Sequence, residues 1–545
     1  SYKHTEEMPS SVGVRIGSFD TTDIFARDSF TLGESHFQWS FDYSRSDDDS
    51  DRIVDSDLQS VFDNIFATSA SKAPGSIDEH YELLGLLAKW QWHNFSFDYY
   101  NWRNFDVGHG AGISQALDPT GKSSVYENLL TAQYDFSEWV TGDLKATLSY
   151  KRQNKKTYLT VFPAGAVLPV GIDGNINFGN PERLVLFEDG FIGTPSASGD
   201  SKTFRLTHLV NLTSQHLFRW ALGYEEQQFR VNQRKNSGPT VLDDSQTVAT
   251  NELTDITGTP YTYLPDVNRN FYYLSLQDEW QITPQVQFSL GIRHDDYSDF
   301  GTTTNPRLGF IWQASDSFTL KLFAGSAFRA PAISQLYSQN NPVAIGNPDL
   351  GPETVSTLET GFNFEYLVTK NFTLSLSMFD YHAKDLIAFA PSNQVQGQLA
   401  QNIGEQKGQG GEFWLKWKPK NNMTIDFSYS LLSADDKAGA RIADIPNKMA
   451  YLGVNWQIND DWFWNVDGKW IAERTRSQID ARAKLANYTW VTSKLERKNI
   501  IKGLSAALVA KNLFNKNAKE PSNGTIADDY PLPGRQLLFE LVYLF

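Results

Sequence analysis

The sequence predicts an all-β fold: a 22-stranded antiparallel transmembrane β-barrel with long extracellular loops and short periplasmic turns. Three observations predict it. Apolar and polar residues alternate with period two in segment after segment, as in FTLSLSMF from Phe372 to Phe379 and FSLGIRH from Phe288 to His294, the pattern of a strand with one apolar face. No run of about 18 apolar residues exists, so no transmembrane helix is expected. A mean hydropathy of −0.42 is no obstacle to a barrel, in which only half of each strand faces lipid. Finally, the connections alternate between tight and long, which places all the long ones on one rim.

Taken in order, strands are expected near 11–18, 22–32, 36–47, 81–92, 95–106, 125–135, 142–155, 202–213, 216–231, 267–282 and 286–297. The second half continues with 305–314, 318–328, 354–368, 372–387, 409–418, 423–432, 447–458, 462–472, 484–497, 504–513 and 535–545. Each is long enough to cross a bilayer with tilt. Connections after even-numbered strands are tight, for example His93-Asn94 and Ser214-Gln215. Those after odd-numbered strands include 48–80, 107–124, 156–201, 232–266, 329–353, 388–408 and 514–534, and the hairpin near Phe19 is expected to be the one short exception. Structureless loops of this length count against a compact soluble domain. An even strand count returns both termini to one rim and lets the first strand pair with the last, so that no unpaired edge faces lipid.

The chain of 545 residues carries a net charge of −16 and no cysteine. It shows no linker and no shift of pattern, which favours one continuous architecture. Enzymatic motifs are absent: there is no thiolate, and none of the nine histidines sits in a His-Glu-x-x-His frame. The glycine-rich stretch from Gly108 to Gly112 opens no helix and reads as a loop tip, while Ser196 lacks a nucleophile-elbow context. No enzyme activity, cofactor or nucleic-acid partner is expected. The acidic run Asp47, Asp48, Asp49 and Asp51 could offer oxygen ligands to Ca2+, although its spacing matches no defined loop and a solvated acidic loop is the plainer reading.

Aromatic residues are enriched, with 15 Trp, 23 Tyr and 36 Phe. Most suit interface girdles, and Trp39, Trp90, Trp92, Trp139, Trp280, Trp462, Trp464 and Trp470 lie close to short turns. A minority near the strand tops could line a ligand vestibule: Tyr100, Trp102, Arg103, Tyr261, Tyr263, Tyr297, Arg329 and Tyr337. Rings stack on planar ligands, and arginine pairs with carboxylate or catecholate charge.

Between two alternating strands, Phe328-Arg329-Ala330-Pro331 is followed by Asn347-Pro348-Asp349-Leu350. Pro331, Pro342, Pro348 and Pro352 cannot donate to a sheet ladder, so the segment is a connection. In order and spacing these boxes resemble those of TonB-dependent outer-membrane receptors. Similar matches occur at Leu276–Gln281, Gly291–Ser298 with Asn305–Arg307, Asn402–Glu405, Lys511–Lys516 and Tyr530–Arg535, and the closing strand ends in Phe545. The resemblance covers the C-terminal half closely and the N-terminal half by architecture.

The resemblance implies an outer-membrane receptor, in a Gram-negative bacterium, that takes up a scarce ligand with energy from the TonB complex. A ferric siderophore is the default ligand, and cobalamin or another metal chelate is the alternative. It also implies a plug domain ahead of the barrel. Residues 1–10 are read as a segment following such a plug, and residues 11–545 as the barrel; the plug is then covalent upstream or a separate chain. A passive or structural plugless pore is the alternative. Outer-membrane lipid and lipopolysaccharide are expected partners. Haem receptors of this kind place a histidine between the two boxes, and Ala332 to Asn347 contains none, which argues against haem.

Overall fold

A computed structural model describes residues 9–341, 344–365, 371–392, 398–522, 524 and 526–545. Most of the expected leading segment, Pro342, the end of the strand expected at 354–368, its turn at Thr369 and Lys370, and 393–397 lie outside the described residues.

The barrel strands are β1 (Ser11–Gly17), β2 (Thr21–Leu32), β3 (Ser35–Ser46), β4 (Tyr81–Trp92), β5 (Phe95–Val107), β6 (Lys122–Asp135), β7 (Asp143–Phe162) and β8 (Phe191–Asn211). They continue as β9 (His216–Lys235), β10 (Val267–Thr283), β11 (Val286–Tyr297), β12 (Gly301–Ser315), β13 (Phe318–Arg329), β14 (Glu353–Glu365) and β15 (Phe372–Pro391). The remainder are β16 (Gln398–Lys420), β17 (Met423–Asp436), β18 (Pro446–Gln457), β19 (Trp462–Arg474), β20 (Tyr488–Ile501), β21 (Leu504–Lys511) and β22 (Gln536–Leu544). Each pairs antiparallel with its sequence neighbours, and β1 pairs with β22 from Ser11↔Leu544 to Gly17↔Leu538. The 22 strands expected from the sequence therefore form a closed barrel.

The two faces separate as the alternation demands. Leu148, Phe204, Leu222, Leu274, Leu290, Ile292 and Leu308 project outward and exposed. Their sequence neighbours Thr147, Arg205, Gly223, Ser275, Ser289, Arg293 and Arg307 face the lumen. Such an outer band is stable against lipid, where it replaces the water that would otherwise oppose its exposure. Trp92, Trp139, Trp280 and Trp464 sit exposed near the short-turn rim, as a girdle requires.

Closure is reinforced inside the lumen. The Glu540 carboxylate, almost fully buried, accepts from Arg15 Nε at 3.0 Å and Lys494 Nζ at 2.7 Å, while Arg15 also reaches Asp23 at 3.1 Å. One carboxylate thus ties β1, β22 and β20 across the seam.

The long-loop rim departs from expectation in height. β7 and β8 run on to Phe162 and back from Phe191, so the loop expected at 156–201 shrinks to 163–190. Residues 388–391 and 398–408 likewise belong to strands. The hairpin near Phe19 is not the only short one on this rim, because 298–300 is as tight. Polar stretches such as Lys155, Lys156 and Thr157 lack an apolar face because they stand above the lipid, yet their ladder with β6 continues, and pairing with β8 resumes at Leu159 after Thr157 and Tyr158. Polarity therefore concealed strand there. Conversely, Lys484–Asn487, expected in a strand, belong to the connection 475–487.

The loops fold upon one another. Helix α1 (Leu58–Phe66) begins with a capping box at Asp57 and ends at Ala67 in the left-handed conformation. It packs on a three-stranded sheet formed by Ala166–Val170, Arg183–Phe187 and Val248–Ala249. Phe162, Leu168, Val170, Val185 and Phe187 make a dry core there, roofing one part of the rim.

Candidate functional site: the lumenal wall beneath the Phe-Arg-Ala-Pro loop

Along β11 the residues Arg293, Asp295 and Tyr297 fall on one face by strand periodicity, and that face is lumenal. Opposite them on β10 stand Arg269, Phe271 and Tyr273. The wall assembles from these. Tyr273 lies flat across Gly223 of β9, where an added Cβ would sit 2.1 Å from the ring, so glycine is required for this close approach. Arg293 then stacks on Tyr273 at 3.8 Å and forks onto the fully buried Asp295, with Nη2 at 2.6 Å. Higher up, Tyr297 stacks on Phe271 at 4.3 Å and on Phe300 at 4.4 Å, with Phe328 edge-on to it at 6.1 Å.

The connection 330–352 is fastened to this wall and to β16. Arg269, buried, donates from Nε to Asp299 at 2.7 Å and from Nη2 to the Pro331 carbonyl at 2.9 Å. Arg329 forks onto Glu353, whose Oε1 also accepts from the Ile387 backbone at 2.7 Å. Asn347 donates to the Ala400 carbonyl at 3.0 Å; Gly351 and Asn402 exchange two hydrogen bonds, at 2.9 and 3.0 Å. Leu336 from the short helix α2 (Ile333–Tyr337), Leu350 and Ala400 fill a small core beneath. Thus Phe328, Arg329, Ala330, Pro331, Asn347, Pro348, Asp349 and Leu350 form a clasp. Their recurrence as a motif has a structural reason: they fix the loop's fold.

Of the expected vestibule residues, Tyr297 stands on this wall and Tyr337 lies close to Asp299 and Arg269, while Tyr261 and Tyr263 belong to the connection 236–266. Gln339 N donates to the Tyr263 carbonyl at 2.9 Å and Asn340 to that of Thr262 at 3.1 Å, joining the connections 236–266 and 330–352. Burial pushes the Tyr263 and Tyr337 hydroxyls up, and Asp299 adds to the effect at Tyr337, so both stay protonated donors at neutral pH. Arg329 is committed to Glu353 and is not free for a ligand. Tyr100 and Trp102 face the lumen from β5, separated from this wall by β6 to β9. Arg103 points to the outer face and covers Tyr126 at 4.7 Å. Sequence reasoning passed over Arg269, Phe271, Tyr273, Arg293 and Asp295. Their signal was the period-two repeat in Arg293, Asp295 and Tyr297.

The acidic run serves as ties. Asp48 pairs with Arg52 at 3.1 Å and accepts from Glu79 N; Asp49 accepts from Gly534 N at 2.6 Å; Asp47 meets Arg45 at 3.0 Å. Asp51 donates its backbone N–H to Asp49 at 3.1 Å. Among the described residues no group of three or more His, Asp or Glu is placed to hold a metal.

A family model described as TonB dependent receptor-like, beta-barrel, matches residues 88–513. The iron-regulated outer membrane virulence protein of Vibrio cholerae is 25% identical over 205 residues, 34% of this chain and 31% of that protein. The probable TonB-dependent siderophore receptor PirA of Acinetobacter baumannii is 24% identical over 323 residues, covering 50% and 42%. The vitamin B12 transporter BtuB of Vibrio cholerae is 28% identical over 190 residues, covering 33% and 28%. The aligned regions thus span less than half the length of these curated relatives. In solved structures, the siderophore receptor PirA from Acinetobacter baumannii superposes over 100% of this chain and 81% of its own, with TM-score 0.71 at 16% identity. The copper transporter OprC does so over 98% and 81%, with TM-score 0.72 at 13% identity. At these identities the superpositions speak for fold alone. With a family model covering well over half of its length and a closed 22-strand barrel beneath it, this chain belongs to the TonB-dependent receptor-like β-barrel family, whose home is the Gram-negative outer membrane.

Proposed function

We propose that this barrel belongs to an active-transport receptor that takes up a ferric siderophore, with a plug domain in its lumen and energy delivered by the TonB complex. The observation that carries this reading is the wall of β10 and β11. Tyr273 and Tyr297 present stacked rings to the lumen beside guanidinium groups, and Tyr261, Tyr263 and Tyr337 add phenols from the loops above. Ring edges and phenol hydroxyls suit an aromatic chelate, while Arg293 and Arg269, paired with Asp295 and Asp299, brace the wall that presents them. Siderophore receptors among the relatives support the same class of ligand, while the vitamin B12 transporters keep cobalamin as the second ligand to test.

The test is uptake of radioiron as a ferric catecholate, and of radiolabelled cyanocobalamin, by cells whose only such receptor is the full-length protein. Uptake of the ferric chelate that stops when the proton-motive force is collapsed is the expected result. Energy-independent leakage of both solutes and of unrelated large antibiotics would instead establish a passive pore. The family itself is one of receptors and transporters, and no catalytic step is assigned.

A further inference from the structure

On a chain of net charge −16, cations gather at one place among the loops. Between the connections 475–487 and 512–535 lies a cavity of about 490 Å³ whose wall carries Arg474, Arg476, Arg482, Lys484, Lys516 and Lys519 against Asp528 and Asp529. A second cavity of about 460 Å³ adjoins it and shares Lys516, Asn517 and Lys519.

The arginines and the lysines play different parts. Arg476 meets Asp529 at 2.5 Å, and Arg482 forks onto Asp480 at 2.6 Å and reaches Asp529 at 3.1 Å. These charge-assisted bonds hold both carboxylates ionised, Asp480 at a pKa of about 2. Arg474, buried, covers the Tyr488 ring at 5.0 Å and gives Nη1 to the Lys519 carbonyl and to Glu520. Its Nε is buried with no acceptor. The arginines therefore build the walls.

The lysine ammonium groups have no such employment. Among the described residues Lys484, Lys516 and Lys519 make no side-chain hydrogen bond or ion pair; Lys519 is half-buried, while Lys484 and Lys516 are exposed. An ammonium has three donors and no acceptor, so partial burial without a partner is unfavourable. Their backbones are fixed all the same: Lys516 is caged by Asn512, which accepts from its N–H at 2.7 Å and donates to its carbonyl at 3.0 Å. Lys519 lies in a two-residue ladder with Pro531. Unpaired cations gathered on a shared cavity wall, two of them on held backbone, offer several charges to one anion.

We propose that the wall formed by Lys484, Lys516 and Lys519 binds a multiply charged oxyanion, whether the phosphate or carboxylate groups of a soluble solute or the phosphorylated sugars of neighbouring lipopolysaccharide. The site stands apart from the β10–β11 wall and does not depend on which chelate is imported.

The test uses the full-length protein in detergent, titrated with inorganic pyrophosphate and, separately, with lipopolysaccharide whose core is phosphorylated or enzymatically dephosphorylated. Saturable pyrophosphate binding is expected, falling as salt rises and weakened about tenfold or more in K516Q/K519Q. Lys122→Gln combined with Lys155→Gln, an equal loss of charge on β6 and β7, should leave it unaltered. A lipopolysaccharide source shows as lysine-dependent preference for the phosphorylated form with pyrophosphate competing; a soluble source shows as pyrophosphate binding with no such preference. Because these side chains carry no structural contact, the variants should keep the heat-modifiable mobility of a folded barrel, and K484Q alone supplies a milder check. Absence of saturable binding by both probes, or binding indifferent to the lysine substitutions, overturns the proposal.

Discussion

Two parts of the extracellular rim are built on opposite principles. The connection 330–352 is held by a few directed polar contacts: Arg329 to Glu353, Arg269 to Pro331, Asn347 to Ala400. The roof made by 47–80, 163–190 and 236–266 is centred on an apolar core of Phe162, Leu168, Val185 and Phe187, with polar ties such as Asn236 to Gly190 and Arg183 to Asp243 at its margin. Directed contacts concentrate their effect in particular residue types, so they recur as boxes that can be read in a sequence. A dispersed core tolerates many solutions of similar volume and leaves no box. The most recognisable residues of this chain are therefore fasteners.

The largest effect should come from the roof. Phe187→Ala removes a fully buried ring and should cost about 3–5 kcal/mol. Because this core touches the strand ladders only at the ends of β7 and β8, limited proteolysis should cut within 163–190 while the barrel keeps its heat-resistant electrophoretic mobility. If the barrel melts with the roof, the two are one cooperative unit and the contrast drawn above fails.

Next comes the clasp. Glu353→Ala leaves Arg329 and the Ile387 N–H without their acceptor. Arg329 is half-exposed, so water replaces part of the interaction, and the loss should be about 1–2 kcal/mol. A double-mutant cycle with Arg329→Ala, read by hydrogen exchange at 330–352, should show the two substitutions to be strongly non-additive. Additive losses would mean that the fork contributes nothing beyond its separate partners.

Comparable in size is Gly223→Ala. The new methyl group meets the Tyr273 ring, and the ring must lift away from the wall with Arg293 upon it, at about 1–3 kcal/mol. Ligand affinity should fall with little change in barrel mobility. Unchanged affinity would remove the β10–β11 wall from the binding surface.

How much of this was legible follows the same division. Strand number and closure were readable because lipid imposes alternation on every crossing, as in Phe288–His294. Above the lipid the constraint lapses: Lys155 to Thr160 carry no alternating signal, and the ladder there is held by backbone pairing with polar side-chain contacts such as Ser123 to Thr157. The clasp was visible as a motif, but its meaning was not, because Arg329 and Glu353 are far apart in sequence and only the β13–β14 register brings them face to face. The roof was invisible, since Phe162 and Phe187 sit in stretches with no periodicity and meet Leu58 and Phe62 of α1 from a separate connection.

The finest comparison sets two histidines of neighbouring loops against each other. His109 packs against Asp118 and Gly121, with Nε2 on Ser123 Oγ at 2.8 Å and Nδ1 unpartnered. Burial outweighs the attraction of Asp118 and holds its pKa below the ordinary value. At His80 burial also pulls downward, but Asp78 at 2.6 Å and Asp106 at 3.4 Å more than reverse it, and the pKa is raised. The signs are opposite. For His109 the unfolded loop binds the proton more readily, so its contribution is full above the unfolded pKa of about 6.5 and is lost as pH falls below it. For His80 the folded loop binds the proton more readily, so its contribution is full below about 6.5 and is lost as pH rises through the folded value. Hydrogen exchange at 76–82 and 108–121 between pH 5 and 8 should then respond in opposite senses to His80→Gln and His109→Gln. The first substitution should remove protection gained in acid, and the second should remove protection lost in acid. Parallel responses would show that the Asp78 and Asp106 carboxylates do not hold the His80 proton, leaving burial as the governing influence at both sites.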